Sequence, residues 1–89
     1  MHSVIYTASA RHDLRNLEKV QARRIVKKIS FWTVQANPLK FAKRLTNPAM
    51  GEYRFRVGDY RVLFDVDHSG NIFVLMILRI KHRKDVYGL

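Results

Sequence analysis

Glu52-Tyr53-Arg54-Phe55-Arg56-Val57-Gly58-Asp59-Tyr60-Arg61-Val62-Leu63-Phe64 is the stretch that decides the fold. Apolar and charged residues alternate on both sides of Gly58-Asp59, the period of two expected of strands with one buried face. Glycine at the first central position of a two-residue loop signals a type II′ hairpin. With Gly58 and Asp59 as the loop, Val57 pairs with Tyr60, Arg56 with Arg61 and Phe55 with Val62. Tyr53, Phe55, Val57, Tyr60, Val62 and Phe64 then share the core face. Arg54, Arg56 and Arg61 project from the opposite one.

Downstream, Asp67-His68-Ser69-Gly70-Asn71 reads as a second turn. Ile72 to Ile80 follows as a nearly unbroken apolar run, the pattern of a central strand buried on both faces. Lys81 to Leu89 leaves the sheet as a basic tail. Upstream, residues 38–51 form a connector with a short helical turn over Phe41–Leu45. His2 to Tyr6, with β-branched Val4 and Ile5, reads as a first strand, and Thr7 or Ser9 caps the helical region behind it.

From there to Ala36, the residues Leu14, Leu17, Val20, Ile25, Ile29 and Trp32 fall near helical spacing, with Arg and Lys between them. A single helix would be about 40 Å long, more than a domain of this size can cover, so a hairpin broken near Leu17–Val20 is expected. Asn37-Pro38 ends the helical part, because the residue before proline is pushed out of the α region. The fold class is therefore α+β in two layers: a strand, a helical hairpin, then a three-strand antiparallel meander, with the helices on one sheet face. Residues 1–89 make a single domain.

Composition narrows the function classes. The absence of cysteine excludes disulfide scaffolds and thiolate metal sites. No apolar stretch reaches the roughly 20 residues that span a bilayer, and the N-terminus lacks a signal-peptide pattern, so a cytoplasmic protein is expected. Seventeen Lys and Arg against seven Asp and Glu give a formal charge of +10 on 89 residues. A field that positive favours polyanions, with nucleic acid or a nucleoprotein as the first candidate and an acidic protein as the second. The first 45 residues hold ten basic side chains against two acidic ones, so the helical half supplies most of that field.

The second half is read for individual placements. Arg56 directly across from Arg61 is destabilising in a sheet, and a bound anion relieves it; a phosphate suits clustered guanidinium groups. Arg54 taken alone reads as an ordinary solvated residue. Arg79, Lys81 and Arg83 share a parity that lets an extended chain bring them, and Tyr87, toward the arginine face. His82 belongs to the side-chain type that exchanges protons near neutral pH, and surrounding cations stabilise a tyrosine phenolate. His2, His12, His68 and His82 lack metal-ligand spacing. Neither a glycine-rich phosphate loop nor a nucleophile elbow is present. Any reaction here is expected to use no metal and no cofactor, and to be run by Arg, Lys, His and Tyr.

The motif Gly51-Glu52-Tyr53-Arg54-Phe55-Arg56-Val57-Gly58-Asp59-Tyr60-Arg61-Val62-Leu63-Phe64, with His82-Arg83-Lys84-Asp85-Val86-Tyr87, closely resembles the RelE-like toxins of the RelE/ParE toxin–antitoxin superfamily. Length and element order agree over nearly the whole chain. The resemblance implies a ribosome-dependent endoribonuclease that enters the A site and cuts the mRNA codon there, the ribose 2′-OH attacking the adjacent phosphate to leave a 2′,3′-cyclic phosphate. Arg54 and Arg56 match a basic pair on the second strand, which are lysines in the best-known member. Arg61 matches the arginine that stabilises the developing phosphorane charge, and Tyr87 the C-terminal general base. Lys81 aligns with an arginine that protonates the leaving group, a role left open among Lys81, His82 and Arg83. Arg54, Arg56 and Arg79 are the candidate RNA contacts. The implied partners are the ribosome with its mRNA and a small, acidic, partly disordered antitoxin that covers or displaces the Tyr87 tail. ParE-type members inhibit DNA gyrase without cutting RNA, and a ribosome- or RNA-binding module without cleavage is a third reading.

Overall fold

The computed structural model describes residues 2–86. Its five-stranded sheet has the order β1-β5-β4-β3-β2, built from Ser3–Tyr6 (β1), Lys43–Arg44 (β2), Tyr53–Val57 (β3), Tyr60–Ser69 (β4) and Ile72–His82 (β5). Strands β2 to β5 form an antiparallel run, and β1 joins β5 in parallel after the chain has crossed one face with two helices. The helices are α1 (Ala8–Arg15) and α2 (Lys19–Thr33). The helical hairpin thus breaks at residues 16–18, overlapping the Leu17–Val20 break expected from helix length. Among the described residues no helix is long and apolar enough to cross a membrane.

One face of α2 carries Ile25, Ile29 and Trp32, all buried, and lays them on the core face of the sheet. Trp32 stacks on Phe55 with ring centroids 4.3 Å apart, and Phe55 stacks on Phe64 at 4.4 Å. These rings dominate the core because each removes a large apolar area from water. Val57, Val62, Leu75, Ile77 and Ile80 complete it. The helices cover only this face. The interior strand β5, expected to be buried on both sides, leaves Ile72 and Met76 at 44% and 40% exposure, because two short helices cannot cover both faces.

The first hairpin has the anticipated geometry: Val57 pairs with Tyr60 and Arg56 with Arg61, while Gly58 takes φ +57°, as the first position of a type II′ turn requires. Three local expectations are corrected. The second turn contracts from five residues to Gly70-Asn71, because Ser69 pairs with Ile72 and Gly70 supplies φ +62°. The helical turn expected over Phe41–Leu45 is replaced by a 3₁₀ turn at Pro38–Phe41 and then the edge strand β2, whose Lys43 and Arg44 pair with Arg54 and Tyr53. Leu45 bonds backbone to backbone with Glu52 at 2.8 Å and is buried, which draws this segment onto the sheet. Finally, β5 runs on through Lys81 and His82, so these two belong to the sheet and not to a free tail.

A one-residue bulge in β5 decides which face those last residues occupy. Leu63 pairs with Arg79, yet Phe64 pairs with Ile77, leaving Leu78 as the extra residue. Odd-numbered Leu75 and Ile77 therefore share the helix face with even-numbered Ile80. Helix α1 holds the bulge. The Thr7 hydroxyl accepts the Ala10 N–H at the helix N-cap and donates to the Leu78 carbonyl at 3.0 Å. The Asp13 carboxylate accepts the Ile80 N–H at 2.9 Å and the Arg79 guanidinium at 2.8 and 3.1 Å. Burial alone would raise the Asp13 carboxyl, but the Arg79 and Ile80 hydrogen bonds and the charges of Arg79 and Lys81 outweigh it and hold it below its ordinary value.

A carboxyl lowered in the folded state stabilises the fold above its unfolded pKa and loses that contribution as pH falls through the folded value. Asp13→Ala should therefore cost about 1–3 kcal/mol at pH 7. Urea unfolding of both proteins checks this: the gap should close progressively as pH drops below about 4. A gap that is independent of pH would contradict the assignment.

Candidate active site

The strand register assembles the cations on the face opposite the helices. Arg56, Arg61 and Lys81 occupy consecutive positions across β3, β4 and β5. Strands lie about 4.8 Å apart, so this row spans roughly 10 Å. The next row on the same face runs Lys43, Arg54, Leu63, Arg79. Arg54 and Arg61 are half-buried and Arg56 is exposed.

Arg61 is the most constrained of these side chains. Its Nη1 donates to the carbonyls of Gly58 and Tyr60, both at 3.0 Å, so its own hairpin turn fixes the direction of the guanidinium. Partial burial, then the charges of Arg54, Arg56 and Arg83, push its pKa down from the ordinary arginine value, and Asp59 opposes them. An arginine remains protonated under such pressure, so the cost stays in the fold as unrelieved repulsion. An anion set among these groups removes it.

The three candidates for the leaving-group acid separate in space. Lys81 pairs in register with Arg61, on the arginine face. Arg83 is near enough to act on Arg61 electrostatically; its N–H donates to the Asp59 carbonyl at 2.7 Å, and its Nε lies 3.6 Å from the Asp59 carboxylate. His82 pairs with Tyr60 on the helix side, with its ring edge-on to the tyrosine at 5.4 Å, and its Nδ1 accepts the Lys84 N–H. The alternation of the strand thus turns His82 away from Arg61.

Arg79 has a partner within the chain. Expected with Arg54 and Arg56 among the RNA contacts, it is bidentate on Asp13. Tyr87, the proposed base, lies outside the described residues. Val86 before it is buried with Leu45, Leu63 and Met50, and Leu63 is an arginine-face residue. Among the described residues no three His, Asp or Glu side chains gather closely enough to hold a metal ion.

Four participants escaped the sequence reading. Asp13 and Asp59 act across 66 and 24 positions, and Val86 had no periodic partner to betray its burial. Arg24 of α2 leans over the hairpin: a Cβ on Gly58 would lie 2.9 Å from its Nη1. Gly58 was legible as a turn residue, but the arginine packed against it was not.

The family model described as the ParE toxin of the type II toxin–antitoxin system parDE matches residues 4–87. Toxin RelG of Mycobacterium tuberculosis is 33% identical over 86 residues, covering 97% of this chain and 95% of that protein. The solved toxin–antitoxin complex RelBE2 of the same organism superposes with a TM-score of 0.70 at 30% identity, over 92% of this chain and 91% of its counterpart. The archaeal RelE–RelB complex from Pyrococcus horikoshii gives 0.67 over 96% and 98%, and at 23% identity that likeness speaks to the fold alone.

The Arg56–Arg61 opposition has a measurable cost. Arg56→Gln should raise stability by about 0.2–1 kcal/mol at low ionic strength, and the gain should shrink in 1 M salt. Thermal melts at two salt concentrations test this. A variant no more stable than the parent at low salt would mean that the opposition is not felt.

Proposed function

The chain belongs to the RelE/ParE superfamily of toxins from type II toxin–antitoxin systems, and on that footing we propose that it is a ribosome-dependent mRNA endoribonuclease that cuts A-site codons. The observation that carries this reading is the row Arg56–Arg61–Lys81, flanked by Arg54 and Arg83 and held against mutual repulsion. A phosphodiester placed there meets cations on several sides.

In the proposed reaction the ribose 2′-OH attacks the adjacent phosphorus as Tyr87 takes its proton. The additional negative charge on the pentacoordinate phosphorane is stabilised by Arg61, with Arg54 and Arg56 gripping the flanking backbone. The bond to the 5′ oxygen then breaks, and Lys81 or Arg83 supplies the proton that oxygen gains. The products are a 2′,3′-cyclic phosphate and a 5′-OH. His82, turned to the other face, is left out.

The magnitudes favour a partner-dependent enzyme. Pre-placed charge contributes roughly 10²–10³ per donor in comparable oxyanion sites, and general-base work about 10²–10⁴. A site with few proton-transfer groups on an open face lacks the remaining contribution, which comes from orienting the substrate. The ribosome holding a codon in its A site supplies that orientation. The solved relative at 30% identity, RelBE2, is a toxin–antitoxin complex, which supports a cognate antitoxin as the second partner; the +10 charge suits an acidic, partly disordered one.

A second reading, the ParE-type gyrase inhibitor, is favoured by the family model's own description. Primer extension on cellular mRNA after induction separates the two. Codon-phased cuts are expected, and Arg61→Ala and Tyr87→Phe should each slow cleavage by about 10²–10³-fold while the fold and antitoxin binding persist. Intact transcripts with DNA-damage signalling would favour gyrase instead.

A further inference from the structure

Beyond Ile77 the outer edge of β5 is left without a strand. Strand β1 pairs only with Val74 to Ile77, and the C-terminal end of α1 stands beside the rest of that edge. Hydrogen-bond alternation decides which backbone groups point there. The Ile80 N–H turns outward to Asp13, whereas the Arg83 N–H turns inward to the Asp59 carbonyl. Tyr60 and His82 are therefore a non-hydrogen-bonded pair, and the His82 N–H and carbonyl face the outer edge with the Ile80 carbonyl.

A cleft of about 260 Å³ runs along this edge, lined by Asn16, Tyr60, Lys81, His82, Asp85 and the Asp13–Arg79 pair. Asp13 and Asp85 balance Arg79 and Lys81, so the cleft has no net charge to draw a phosphate, unlike the row beside it. Its other features suit a planar heterocycle. The Tyr60 and His82 rings meet edge-on at 5.4 Å, a contact that leaves ring faces uncovered. The His82 Nδ1 accepts the Lys84 N–H, so a neutral ring carries its proton on Nε2 as a donor. The Asn16 Nδ2 is used 3.0 Å from the His12 ring, which leaves Oδ1, like the Asp85 carboxylate, as an acceptor. Lys81 belongs both to the cleft and to the cationic row, so the cleft begins one strand spacing, about 4.8 Å, from Arg61.

We propose that this cleft is a nucleobase subsite: a nucleotide whose phosphate rests on Arg61 and Lys81 turns its base over the edge of β5 to stack on the Tyr60–His82 pair. The inference rests on the cleavage reading above and deepens it by naming what the site reads on the RNA. Single-stranded RNA is read in this manner, with splayed bases stacked on aromatic rings and hydrogen-bonded along their edges. Two side-chain acceptors select a base that carries an exocyclic amino group, so adenine, cytosine or guanine is taken in preference to uracil. His82, which has no place in the proton transfers, has one here.

Two measurements test the subsite. In the first, programmed ribosomes present codons that differ at one position at a time, and single-turnover cleavage is followed. At one position, replacing an amino-bearing base by uracil should slow the parent by about 5- to 100-fold. Asp85→Ala, and to a lesser extent Asn16→Ala, should shrink that ratio; both residues are exposed, so the fold persists. A merely structural loss would slow all codons alike. His82→Ala should slow cleavage of the preferred codon by about 5- to 100-fold through lost stacking. The second measurement needs no ribosome: the free protein is titrated with adenosine 3′-monophosphate and with uridine 3′-monophosphate, and its NMR signals are followed. The adenosine nucleotide should bind more tightly and move the signals of Asn16, His82 and Asp85. Nucleotides that move only Arg54, Arg56 and Arg61, or a uracil ratio unchanged in Asp85→Ala, overturn the proposal. A parent that leaves ribosome-bound mRNA intact while adenosine 3′-monophosphate still moves the cleft overturns the cleavage reading alone.

Discussion

Asp13 accepts the Ile80 N–H and the Arg79 guanidinium, and with Thr7 it holds a single extra residue, Leu78, in β5. The candidate site depends on that bulge. Before it, odd-numbered β5 residues such as Leu75 and Ile77 face the helices; after it, even-numbered Ile80 does. An unbulged strand would carry the odd parity onward and turn Lys81 toward α1, away from Arg61. One carboxylate on a short helix thus connects the packing of the domain to the composition of its cationic face. It also explains why Arg79, the closest basic residue to the bulge, is used in holding the fold.

Much of the architecture was legible because its signals are local. The Gly58-Asp59 loop fixed the parity of both flanking strands, and everything inferred about Tyr53, Phe55, Arg56 and Arg61 followed from it. The break between α1 and α2 followed from length alone. The misread elements are those governed by distant contacts. Lys43 and Arg44 have no strand periodicity of their own and pair only because β3 presents an open edge. The run Ile72 to Ile80 looked buried on both faces because its outward positions Ile72, Val74 and Met76 are themselves apolar, and the bulge then places Ile77 and Ile80 on one side.

The site was legible in the same uneven way. Arg54, Arg56 and Arg61 came from hairpin arithmetic, and the structure places them together. Parity set Lys81 and Arg83 apart from His82, but spacing did not say which of the three stands nearest Arg61; the register pairs Lys81 with Arg61 and His82 with Tyr60. Asp59 and Val86 are invisible for a further reason. An aspartate in a turn and a valine near a chain end both have ordinary explanations, and only contacts with Arg83 and Leu63 give them others.

The electrostatics link stability and function in one trade. Guanidinium groups held side by side cost the free protein stability, and that cost disappears when an anion enters. Any polyanion with suitable spacing therefore binds more favourably than surface charge alone provides, whether it is an RNA backbone or an acidic partner segment. Charge of this kind attracts without discriminating, since Coulomb forces fall off slowly and carry little geometric information. Discrimination has to come from features with defined directions: an Arg61 fixed on two carbonyls, a Lys81 aimed by the bulge, and a chain end seated at Val86. These are the features that a substrate held in one orientation could exploit, whereas a freely tumbling strand would meet mainly the charge.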